Sequence, residues 1–135
     1  MITGIRIDRV EAKREKNEDV KGLDVNIGID NVKVSGPEIE IAFNYSATYQ
    51  EKVGMLKMEG ALLAHEDEKS AKEILDSWKK TKKLPDNFSE MVLNAINFTC
   101  GTNGVLVVRP VNLAPPMIPP RIQLKKQDAT QTGSS

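Results

Sequence analysis

The side chains that could carry chemistry are few. The chain of 135 residues has one cysteine, Cys100, and one histidine, His65. A thiol needs only a nearby base or cation to become a nucleophile, so these two residues form the one conceivable dyad. The pattern around them points elsewhere. Cys100 continues an apolar stripe through Val92 and Ile96, as a buried structural thiol does, and His65 falls where a strand hands over to a helix. One Cys allows no intrachain disulfide, and one Cys with one His cannot complete a zinc site of ordinary ligand number.

The remaining polar clusters are explained by ordinary structure. Glu66-Asp67-Glu68 could hold a cation, but an acidic first turn is what the helix dipole favours. Glu38 and Glu40 lie on the wet side of a strand, where alternating charge promotes solubility. Gly101-Thr102-Asn103-Gly104 lacks the lysine and the strand-to-helix setting of a phosphate loop. Lys79-Lys80-Thr81-Lys82-Lys83 is the densest basic run and fits the C-terminal end of a helix. No interleaving of arginine with aromatics supports base stacking. We expect no catalytic residue, no metal and no cofactor, and hence no enzyme.

Composition sets the frame for this. Hydrophobic residues at 39% and charged residues at 28% are those of a single soluble globular domain. Lys plus Arg and Asp plus Glu both number 19, so the net charge is zero. That balance disfavours a protein that coats nucleic acid or anionic membrane. The start, Met1 to Arg9, interleaves charges with apolar residues, and the longest apolar run elsewhere is Val105 to Val108. Neither a targeting segment nor membrane insertion is expected, and a cytoplasmic location is.

The elements follow from hydrophobic periodicity. From Ile39 to Tyr49 the odd positions are Ile39, Ile41, Phe43, Tyr45, Ala47 and Tyr49, alternating with mostly polar residues. A period of two held this long describes a strand with one buried face. Weaker alternation predicts strands near 5–13, 24–34 and 54–65, with the strong one over 38–51. Short connections favour antiparallel neighbours. Gly60 interrupts the apolar face of the fourth strand and marks a bulge or a close backbone approach. The period then changes to 3.6. Ala71, Ile74, Leu75 and Trp78 give a helix near 67–82, and Phe88, Val92, Ile96 and Cys100 give another near 86–100. Gly101 and Gly104 leave Val105 to Val108 as either more helix or a short strand. Five of the seven prolines follow Arg109 and impose an extended segment, and 123–135 should be a disordered polar tail after a domain spanning 1–122. The predicted class is α+β: a four-stranded antiparallel sheet followed by two helices and a proline-rich C-terminal segment.

The helical half holds more apolar surface than one sheet face need cover, and such a surplus points to oligomerisation or ligand binding. Asn112-Leu113-Ala114-Pro115, placed after a long apolar helix, resembles a stretch carried by the SecB family of protein-export chaperones. The order of elements, four strands and then helices, is similar over about residues 5–116. The chain resembles a divergent member. It lacks that family's acidity, has an extra amphipathic helix before the long one, and carries Pro116-Met117-Ile118-Pro119-Pro120 where a second helix would follow.

The resemblance implies a homo-oligomer, a dimer or tetramer, that acts as an ATP-independent holdase and binds unfolded polypeptide clients through apolar grooves. Candidate client-binding residues are Phe43, Tyr45 and Tyr49 as the floor of such a groove, with Trp78, Phe88 and Met91 as its wall. The alternative is an oligomeric adaptor or assembly subunit with one fixed protein partner.

Overall fold

In the computed structural model, which describes residues 1–116, four antiparallel strands make one sheet. They are β1 (Ile2–Arg14), β2 (Leu23–Ser35), β3 (Glu38–Tyr49) and β4 (Gly54–His65), followed by α1 (Glu68–Thr81) and α2 (Asp86–Val108). The expected end of the domain at residue 122 and the expected polar tail lie outside the described residues. The class read from the sequence is the class observed.

The sheet order is β1-β4-β3-β2. β2, β3 and β4 form a meander, while β1 adds on the far side of β4, so the first strand pairs with the last. β3 and β4 are therefore central, and β1 and β2 are edges. Alternation places Ile39, Ile41, Phe43, Tyr45, Ala47 and Tyr49 of β3 on the helix-covered face beside Leu56, Met58 and Leu62 of β4, all buried. Burial of each such large side chain contributes about 1.5–3 kcal/mol. Exposed ion pairs such as Arg6–Asp8, at 2.7 Å, contribute less than about 1 kcal/mol each. The core is built by apolar packing.

Gly60 is a close approach. It pairs with Ile7 next to a register shift between Ile7 and Arg9, and a Cβ on it would lie 1.9 Å from the Arg6 carbonyl oxygen. Only a residue without a side chain lets β1 run past β4 at this point.

The helices begin and end for local reasons. Asp67 caps α1 by accepting a hydrogen bond from the Ser70 amide at 3.3 Å, and this hydrogen bonding lowers its pKa. Lys82 closes the helix in the left-handed conformation, its amide donating to the Trp78 carbonyl. α2 runs on to Val108, so Val105 to Val108 are helical. The glycines that weaken this stretch by propensity serve its packing. At Gly104 a Cβ would come within 2.8 Å of Pro116 and 3.0 Å of Leu56, so the helix lies closer to the sheet than a larger residue would allow.

The four residues that carried the resemblance form a strap that follows α2 and packs against the sheet, the Leu113 side chain lying next to Gly54. Asn112 has a positive φ of 54°, and the Leu113 amide donates to the Val108 carbonyl at 3.1 Å. The Leu113 side chain is buried. Arg14 donates through Nε to the Val111 carbonyl at 2.9 Å and from its guanidinium to the Asn112 carbonyl at 2.6 Å. The Tyr49 hydroxyl donates to the Ala114 carbonyl.

Gly60→Ala should destabilise the protein by about 2–4 kcal/mol, because β1 must shift or strain to clear the new methyl group. Urea unfolding measures this, and an unchanged midpoint would contradict the close approach.

Candidate functional site

The edge position of β2 leaves the cover of the sheet incomplete on that side. α1 packs against β2 while α2 lies over all four strands. Where the two helices meet, near the connection at residues 82–85, a groove of about 450 Å³ opens beside β2. Its apolar lining comes from Ile27 and Ile29 of β2, Trp78 of α1, Leu84 of the connection and Leu93 of α2. Lys82, Lys83, Asp86 and Ser89 form the polar part. Ile27, Ile29 and Leu93 are only partly covered. The outer edge of β2 has no strand partner among the described residues, so a row of its backbone amides and carbonyls borders the groove. A hollow of similar size, about 480 Å³, lies by the β3–β4 turn. It is lined by Glu15, Lys16, Thr48, Lys52, Gly54 and Met55, and its surface is mainly apolar although Met55 is its one large apolar side chain.

A second surface is the outward face of α2. Met91, Phe98 and Leu106 are 43%, 59% and 64% exposed, and no charged residue stands between Glu90 and Arg109. α2 is long and apolar enough, by length and composition alone, to cross a membrane. Its other face, through Phe88, Val92, Ile96, Cys100, Gly104 and Val108, is buried on the sheet. It is a core helix with an uncovered apolar back.

The six residues singled out from the sequence fall in different places. Phe43, Tyr45 and Tyr49 are sealed in the core and none lines the groove. The physical reason is topological: β3 is a central strand, roofed by α2, and the face that alternation identified is already full. Trp78 lines the groove with a small exposed fraction of 8%. Phe88 is buried at the start of α2, and Met91 points outward on the second surface. Ile27, Ile29, Leu84, Leu93 and the exposed Leu106 were not singled out, and the exposed Phe98 counted only towards the apolar surplus of the helical half. Periodicity shows which residues share a face. It does not show which strand becomes an edge.

The candidate dyad is not assembled. His65 is exposed at the end of β4, with Nδ1 2.8 Å from a Glu38 carboxylate oxygen. Cys100 is fully buried, and burial pushes its thiol up to about 12. Tyr45 is pushed up to about 12 as well, chiefly by burial and then by Cys100, and its hydroxyl has no hydrogen-bond partner among the described residues. Among the described residues no three His, Cys, Asp or Glu side chains gather into a possible metal site.

No family model matches the chain, and no curated protein sequence does. A solved structure is similar: a Mycobacterium tuberculosis SecB-like chaperone in complex with a ChAD peptide from an antitoxin. It aligns with a TM-score of 0.61 and 16% identity over 88% of this chain and 85% of that one. The fold is SecB-like, at a distance.

A thiol held neutral by burial should be unreactive. Native protein at pH 8 should give no prompt reaction with a chromogenic disulfide reagent, and one thiol per chain should appear in denaturing urea. Full reaction of the native protein within the mixing time would contradict the buried placement of Cys100.

Proposed function

We propose that this protein is an ATP-independent holdase that binds non-native polypeptide along the open edge of β2. The observation that carries the reading is the groove itself, a partly apolar trough with Ile27, Ile29 and Leu93 accessible in its lining, beside a strand edge unpaired among the described residues. An extended client can add its backbone to that edge and lower every second side chain into the trough. Backbone pairing is indifferent to sequence, and apolar burial is nearly so. The two together suit a site that accepts many chains and performs no reaction. The SecB-like fold supports this, and so does the polypeptide partner of the mycobacterial neighbour.

The reading includes a homo-oligomer, a dimer or tetramer, joined through the outward face of α2. Met91, Phe98 and Leu106 are large apolar side chains on this face that would otherwise meet water. A patch of this kind closes most simply about a two-fold axis.

Aggregation assays with several unrelated unfolded proteins test the proposal. The holdase reading expects protection of most of them at near-stoichiometric ratios without nucleotide. Protection of none would favour an adaptor with one fixed partner, as the single antitoxin peptide of the neighbour also permits. Leu93→Gln should weaken client binding by about tenfold, the worth of roughly two buried methylene groups, with little change in melting temperature. Phe98→Glu should convert the oligomer to monomers in sedimentation. A wild-type monomer at tens of micromolar would overturn the subunit interface.

A further inference from the structure

The basic run that the sequence explains as a helix terminus has a definite place in the structure. Lys82 and Lys83 line the groove, with Lys79 and Lys80 exposed on the preceding turn. The left-handed backbone of Lys82, with φ of 58°, turns the chain out of α1 at this point. The Ser77 hydroxyl donates to the Lys83 carbonyl at 2.7 Å and fixes the connection. The Lys82 ammonium stands 5.3 Å from the centre of the Trp78 ring, against the apolar wall. None of the four ammonium groups is ion-paired with another described residue. Asp86 is the one acid in the lining. In a chain of zero net charge this is a local concentration of unpaired positive charge, set at the mouth of an apolar trough.

We propose that the groove, on the reading of it as a polypeptide site, selects extended apolar segments flanked by acidic residues. A client side chain seated on Ile27, Ile29 and Leu93 brings its neighbours in sequence to the rim. A carboxylate there meets Lys82 and Lys83, while a client lysine meets them with like charge. Each exposed pair contributes little, but attraction in one client and repulsion in the other add in the ratio of their affinities. Clients would thus be ranked by charge and admitted by apolarity. A nucleic acid fits less well, because Trp78 is too covered to offer a ring face for stacking.

The test uses three fluorescein-labelled extended peptides with one apolar core, flanked by glutamates, serines or lysines, titrated against the full chain in anisotropy. In 20 mM salt the affinities should fall in the order glutamate, serine, lysine, with about tenfold between the extremes. The ratio should shrink towards one in 0.5 M salt, where charges are screened beyond about 4 Å. Lys82→Asn/Lys83→Gln should bring the low-salt ratio to about one. Lys33→Gln/Lys57→Gln, which removes two charges from the opposite face of the sheet, should leave it near ten. Equal binding of the three peptides by the wild type would overturn the charge selection while leaving the groove reading intact. No binding of any peptide would overturn both. Displacement of the glutamate peptide by single-stranded oligothymidine at equal charge would assign the lysines to nucleic acid and overturn the proposal.

Discussion

The packing of α2 across the two central strands governs the rest of the molecule. β3 presents an apolar face from Ile39 to Tyr49 and β4 one from Leu56 to Leu62 that only Gly60 interrupts, and a helix laid directly over the two buries them. α2 does so at short range, because Gly104 lets it settle against Leu56 and Pro116. Protein interiors tolerate neither voids nor overlap, so this contact fixes the position of the helix to a fraction of a side chain. The strap that follows the helix is then positioned by Arg14 and Tyr49, which reach it from β1 and β3.

Two consequences follow from spending α2 on the centre of the sheet. The first is that most of the cover of β2 falls to α1. It buries Ala71, Ile74 and Trp78 and leaves Ile27 and Ile29 partly open at the groove. The second is that α2 has an apolar composition on both faces but only one sheet to pack against, so Met91, Phe98 and Leu106 remain outside. The uncovered surfaces are therefore the residue of how the core was satisfied. A central strand that is fully consumed gives stability, and an edge strand that is half covered gives a place to bind.

This also explains what could be read from the sequence and what could not. The period-two run of β3 and the period-3.6 stripe of α1 are local signals, and both elements stand where periodicity put them, within a residue or two. β1 begins at Ile2 rather than near residue 5, and β3 ends at Tyr49, where the chain turns through Gln50–Lys52. The continuation of α2 past Gly101 and Gly104 was ambiguous because it depends on Pro116 and Leu56, which are distant in sequence. The pairing of β1 with β4 is likewise a long-range choice that no local pattern records. The groove depends on that choice, since it sets β2 at an edge. Phe43, Tyr45 and Tyr49 were legible as an apolar face, while the fullness of that face was not. Lys82 and Lys83 were legible as a basic run, while their position beside an apolar trough was not.

The central claim is that an extended polypeptide lies along the outer edge of β2 and into the trough beside it. Amide hydrogen exchange of the protein, alone and with a saturating unfolded client, tests this most directly. The account predicts slower exchange at alternate amides of Leu23–Ser35, those that face away from β3, together with a change in Trp78 fluorescence. Unchanged exchange throughout β2, with protection gained along β1 or on the open face of the sheet, would contradict it.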